Sequence, residues 1–228
     1  MMVQKKRIHE PGKLLILAII FTTGILVANI MATKVIDVFG IYAPMGIIVY
    51  PITFLMTDTI TEVWGKQISK QVILGGLIAN IFATVVLQLS TYIPAAPVYE
   101  LFDEYAQVIG GVPRIAIASI VSYYVSQSVD VHLFHKIKQK TNGKHLWLRN
   151  NVSTMTSQII DSVVFMSIAF LGTVPLRVLL IMMGTQYVMK FIFALADTPF
   201  VYVTVKWAKG HSVTWKKFHI KRSNHRSV

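Results

Sequence analysis

The chain contains no cysteine, which excludes disulfides and thiolate metal sites. It is also poor in charge. Asp, Glu, Lys and Arg together make up 14% of its 228 residues, where a soluble domain carries about a quarter. Acidic residues are the scarcer sign, ten against 22 basic ones. No GxSxG, HExxH or Walker A pattern occurs, which argues against a membrane protease or a one-chain ATP-driven pump. What is present is apolar: 54% of the residues are hydrophobic. They come in blocks of about twenty, the length that crosses roughly 30 Å of hydrocarbon. The composition is that of an integral membrane protein.

Six apolar runs are expected to be helices. They cover about residues 13–35, 44–64, 68–93, 113–137, 152–171 and 175–207. The first is too long for a signal-peptide core and is followed by more membrane segments. The second contains Pro51 and the polar series Thr53, Thr57, Asp58, Thr61 and Glu62. The third carries Gly75, Gly76, Ala79 and Ala83, small residues that let helices approach closely. A loop of some twenty residues with Glu100, Asp103 and Glu104 precedes the fourth. The sixth exceeds one crossing and is expected to tilt or to run past the bilayer. Pro51 and Pro199 are read as helix kinks beside a cavity. The chain thus divides into an N-terminal arm (1–12), an all-α six-helix transmembrane domain (13–207) and a basic tail (208–228).

Orientation follows from Lys and Arg. The arm, the second and fourth loops and the tail hold eighteen of them. The alternate loops hold Lys34, Arg114 and Arg177. Both termini are therefore expected in the cytoplasm, with the acidic loop outside. The net charge of +12 is mostly this bias, plus a tail able to touch anionic lipid. The basic residues are dispersed and form no recognition module, so direct nucleic-acid binding is not expected.

Half of the acidic residues lie inside the runs: Asp58, Glu62, Asp130, Asp161 and Asp197. Counting back to the nearest loop lysine or arginine puts the four Asp roughly 9–18 Å from the cytoplasmic boundary. Glu62, one turn before Lys66, reads as half of an interfacial pair. Lys190 is the basic residue well inside a run, with Gln186 one turn before it and Asp197 two turns after it. An ionised Asp at depth costs at least ~2.5 kcal/mol. Four with one Lys require protonation, a wet cavity or a cationic ligand. Each of these implies a polar cavity, against the plainer alternative that the groups only bind helices together.

One stretch occurs twice. Ser122-Tyr-Tyr-Val-Ser126-Gln127-Ser-Val-Asp130-Val-His-Leu-Phe134 and Ser153-Thr-Met-Thr-Ser157-Gln158-Ile-Ile-Asp161-Ser-Val-Val-Phe165 both read S-x-x-x-S-Q-x-x-D-x-x-x-F. On a helix the second Ser, the Gln and the Asp share one face. The stripe runs inward in the fourth helix and outward in the fifth, so the two copies can meet across a local pseudo-twofold. His132 and His135 fall at the inner end of the fourth run and read as interfacial, and no metal-ligand set is expected.

The chain resembles the queuosine-precursor transporter family, also called vitamin-uptake-like transporters. The resemblance rests on Tyr50-Pro-Ile-Thr-Phe-Leu-Met-Thr-Asp58-Thr-Ile-Thr-Glu62-Val-Trp-Gly65, Arg114-Ile-Ala-Ile-Ala-Ser119, Ser126-Gln127-Ser-Val-Asp130-Val-His-Leu-Phe134, Ser157-Gln158-Ile-Ile-Asp161-Ser and Gln186-Tyr-Val-Met-Lys190. It covers about residues 13–207 and leaves the tail out. It implies a multi-pass protein of a prokaryotic cytoplasmic membrane that imports 7-deazaguanine precursors of a modified tRNA base, 7-cyano- or 7-aminomethyl-7-deazaguanine, without a cofactor.

A carboxylate suits that ligand class, because it can accept hydrogen bonds from a guanine-like N1–H and its exocyclic amine together. On this reading Asp130 with Gln127, and Asp161 with Gln158, grip the base from opposite sides, with Ser126 and Ser157 beside them. Lys190 and Asp58 tune the charge, and Asp197, Gln186 and Arg114 serve coupling or gating. Arg114 is equally an interfacial anchor. Three rivals stay open: a substrate-binding membrane subunit of an ATP-driven importer, a membrane enzyme using paired carboxylates, and a ligand-free scaffold. A homo-oligomer is also left open.

Overall fold

A computed structural model describes residues 11–141 and 146–209. Helix α1 (Pro11–Met31) leads into a hairpin of β1 (Val35–Val38) and β2 (Ile41–Pro44). A 3-10 turn (Met45–Ile48) then opens α2 (Tyr50–Trp64), and α3 (Lys66–Ser90) follows. The short α4 (Phe102–Gly110) precedes α5 (Val112–Lys140), α6 (Leu146–Phe170) and α7 (Leu176–Ala208). The all-α expectation therefore holds apart from the hairpin. The N-terminal arm up to residue 10 and the basic tail from residue 210 lie outside the described residues.

The hairpin corrects the expected end of the first run at Val35. Four β-branched residues, Val35, Ile36, Val38 and Ile41, favour strand over helix here. Phe39 and Gly40 make a two-residue turn with φ of 56° and 80°, the pair of positive angles that a type I′ hairpin needs. The side chain of Asp37 accepts the Gly40 N–H at 2.8 Å and holds that turn. The hairpin takes Pro44 and the 3-10 turn takes Met45–Ile48 from the second run, so α2 has 15 residues and is roughly 22 Å long.

Among the described residues, five stretches are long and apolar enough to cross a membrane: α1, α3, α5 together with α4 before it, α6 and α7. Helix α2 is not among them. Pro51 sits in the first turn of α2, where its missing N–H costs nothing. It opens the helix and does not kink it. Pro199 does lie inside α7 and leaves the carbonyl four residues earlier without its helical donor. Gly65 alone joins α2 to α3, at φ 90° and ψ 165°. The expected loop there is a single residue, and Lys66 and Lys70 belong to α3.

The helices pack as two trios. Leu17, Phe21, Met56 and Ile60 are buried with Ile68, Val72 and Ile73 around them, joining α1, α2 and α3. Ile115, Ala118, Phe165, Met166, Leu179 and Met182 are buried between α5, α6 and α7, with Ala32 and Tyr42 of the α1 end and the hairpin against them. Close approach within the first trio needs glycine. A Cβ on Gly46 would sit 2.3 Å from the Ala28 carbonyl oxygen, and one on Gly76 would sit 2.8 Å from Phe21. Gly75 meets nothing within 4 Å, so of the adjacent glycines only Gly76 is a contact.

At the end opposite the hairpin, the trios are latched by polar groups. Lys13 donates to the Trp207 carbonyl at 3.1 Å and lies over the indole. The Thr59 and Thr204 hydroxyls share a hydrogen bond at 2.6 Å. Glu62 pairs with Lys209 at 3.7 Å. Glu62 is thus in an ion pair, but its partner is Lys209, the residue that caps the end of α7, and not Lys66.

The burial pattern is that of a membrane protein. Asn29, Thr53, Thr59, Ser69, Asn80, Ser122, Ser153, Ser162 and Gln186 are buried, while Leu74, Ile78, Phe82, Val85 and Leu89 of α3 are exposed. An apolar surface on that scale is stable only against lipid or another apolar partner.

Candidate functional site

A cavity of about 280 Å³ opens between the two trios. Its first wall comes from α1, α2 and α3, with Asn29, Tyr50, Thr53, Thr57 and Asn80 as the polar members. The second comes from α5, α6 and α7, with Ser122, Ser126, Gln127, Gln158, Asp161, Gln186 and Lys190. Aromatic rings are frequent: Phe21, Tyr50, Phe54, Tyr123, Tyr124 and Phe165 all line it. The volume lies at the small end of ligand pockets and suits a compact, flat molecule.

The repeated motif makes a reciprocal contact. Ser126 of α5 lies 3.4 Å from an Asp161 carboxylate oxygen, and Ser157 of α6 lies 3.4 Å from an Asp130 carboxylate oxygen. In each copy the Ser precedes the Asp by one turn. Two antiparallel helices thereby set each Ser against the other's Asp. The contacts are long for O–H···O bonds. Each hydroxyl also has a nearer acceptor one turn back, the Tyr123 carbonyl at 3.1 Å or the Thr154 carbonyl at 2.9 Å. One proton cannot serve both acceptors fully, so the Ser–Asp contacts align the helices more than they hold them.

The stronger hold on Asp161 is Lys190. Its ammonium is ion-paired and hydrogen-bonded to the second carboxylate oxygen, with side chains 12% and 20% exposed. At that burial neither charge stays uncompensated without a large desolvation cost. Gln186, one turn before Lys190, is 3% exposed, and its Oε1 has no partner among the described residues.

Five of the expected binding residues therefore meet on one cavity: Ser126, Gln127, Gln158, Asp161 and Lys190, together with Gln186. Asp130 and Ser157 contact each other but do not line it. The expected four-Asp layer is not gathered there. Asp58 is exposed on α2 and does not line the cavity, and the side chain of Asp197 lies outside the described residues. Arg114 is elsewhere too. Its Nε donates to the Ile168 carbonyl at 2.7 Å and its Nη2 to the Leu171 carbonyl at 2.5 Å, so it clamps the end of α6.

Sequence reasoning passed over Asn29, Asn80 and Tyr50. Asn29 donates from Nδ2 to Oδ1 of Asn80 at 2.8 Å, a buried bond between α1 and α3. An asparagine in the middle of each of two apolar runs was the available signal, since an amide in hydrocarbon needs a partner.

Fold and cavity together define a helical membrane protein built around an open, largely apolar cavity that carries a few polar and charged side chains. The family model described as "Putative vitamin uptake transporter" matches residues 44–204, and the chain belongs to that family of membrane transporters. The "Probable queuosine precursor transporter" of Bacillus subtilis (strain 168) is 30% identical over 180 residues, 78% of this chain and 79% of that protein. The "Queuosine precursor transporter" of Escherichia coli (strain K12) is 26% identical over 143 residues, 63% of this chain and 62% of its own length. A "Probable queuosine precursor transporter" of Haemophilus influenzae is 27% identical over 132 residues, 58% of this chain and 54% of its own. For the last two the match spans less than two thirds of the relative. No solved structure matches the chain.

Proposed function

We propose that this transporter imports a 7-deazaguanine precursor of queuosine across the cytoplasmic membrane of a prokaryote, by alternating access of the two trios. The observation that carries the reading is the cavity between them. It has a carboxylate and three glutamines on one wall and aromatic side chains around it. Asp161 accepts the N1–H and the exocyclic amine of the base, with Gln127 and Gln158 on either side. The aromatic rings stack on its faces. The reaction is transport, with no bond made or broken in the ligand. Helix α2 with the 3-10 turn before it completes six crossings, and both termini are cytoplasmic. Asp130 supports Asp161 through the paired helices, and Asp197 serves coupling.

Among the described residues the lining carries one carboxylate and one ammonium, Asp161 and Lys190, and their formal charges balance. The neutral 7-cyano base fits that balance. A 7-aminomethyl cation can be neutralised by Asp161 only if Lys190 lets go. The test is uptake of both labelled bases into cells that lack their own importer. The cyano base is expected to enter faster, and Asp161→Asn to lower uptake to background with the protein still in the membrane. Wild-type rates in that variant would overturn the assignment. A proton uncoupler in the same assay separates proton symport, which collapses, from facilitated diffusion, which persists.

A further inference from the structure

The buried amide pair on the first wall has hydrogen-bonding capacity left over. An amide–amide bond uses one N–H and one carbonyl, so a carbonyl oxygen and an N–H₂ group remain whichever partner donates. Here these are Asn29 Oδ1 and Asn80 Nδ2. Neither has another protein partner among the described residues, and neither is sealed off, since the sealed and unpartnered atoms are those of Thr84 and Gln186. Both residues line the cavity while being only 2% and 3% exposed. The bond between them fixes their relative position. The cavity thus meets an acceptor and a donor set side by side on α1 and α3, in the trio opposite Asp161.

We propose that Asn29 and Asn80 form a second recognition edge, which reads the N9–H and N3 of an unglycosylated deazaguanine and so selects the free base over its nucleosides. The inference rests on the deazaguanine reading of the same cavity. With Asp161 on the N1–H and the exocyclic amine, the ring presents a neighbouring donor and acceptor, N9–H and N3, on its next edge. N9–H donates to Asn29 Oδ1, and N3 accepts from Asn80 Nδ2. In a nucleoside N9 carries ribose, so the donor is gone and a bulky group meets the amide pair. A site built to pair with an N–H rejects the molecule lacking it, because its own polar group is left unmatched. A ligand held this way bridges the two trios, and only the free base does so fully.

The test uses purified full-length protein in detergent, with 7-cyano-7-deazaguanine and its 9-methyl derivative as probes in calorimetric titrations. The wild type should bind the free base about tenfold or more tightly than the 9-methyl form, the scale of one good hydrogen bond lost at a buried partner. Asn29→Leu/Asn80→Leu removes both amides together and leaves no orphaned group. It should bind the free base about tenfold or more weakly and lose most of the discrimination. Equal binding of both probes by the wild type overturns the proposal without any variant. So does a double variant that keeps full affinity and full discrimination, because steric exclusion then explains the preference. A wild type that binds neither probe overturns the substrate reading and this inference with it.

Discussion

At the scale of single residues, the cavity shows which polar groups are matched and which wait. Asp161 has Lys190 and Ser126 as partners, whereas Gln186 Oε1 is buried with no partner among the described residues. A buried acceptor without a donor costs about 1–3 kcal/mol. Gln186→Leu, of similar volume, is therefore expected to raise thermal stability in detergent by up to that amount while lowering uptake. A fall in melting temperature would mean that the amide is supporting the fold.

Elements explain what single residues do not. Arg114, in the first turn of α5, places its guanidinium on the last carbonyls of α6, which have no intrahelical donors. A cation at that end also offsets the negative pole of the helix. The clamp keeps α5 and α6 in the register that sets each Ser against the opposite Asp. Arg114→Met should cost roughly 1.5–3 kcal/mol, the range for hydrogen bonds from a charged donor, measured as loss of thermal stability. Arg114→Lys should restore only part of it, because an ammonium cannot reproduce the two-pronged contact. A neutral outcome in both variants would leave Arg114 as a surface anchor. The short α2 is instructive in the same way: the 3-10 turn over Met45–Ile48 occupies the segment that a sixth full-length helix would have needed.

For the whole molecule, membrane orientation is the open geometric quantity, and the absence of cysteine makes it easy to measure. Phe39, at the hairpin tip, is fully exposed, and Lys66, at the start of α3, is exposed at the opposite end. Phe39→Cys should react with a membrane-impermeant maleimide in intact cells, and Lys66→Cys only after permeabilisation. The reverse pattern would invert the proposed topology.

Run length and the scarcity of charge were enough to place α1, α3, α5, α6 and α7, because hydrocarbon thickness and the cost of buried charge are coarse, one-dimensional constraints. The helical period was enough to put Ser, Gln and Asp of each motif on one stripe. Neither could reveal the hairpin, since a β-branched run beside an apolar helix looks the same as its continuation. Nor could they tell the two motif copies apart. Asp161 faces the cavity and Lys190, while the chemically identical Asp130 stays outside the lining. That difference arises from which helices pack beside α5 and α6. The pairing of Asn29 with Asn80, fifty-one residues apart, belongs to the same class: a contact between distant segments exists only once the helices have chosen their neighbours.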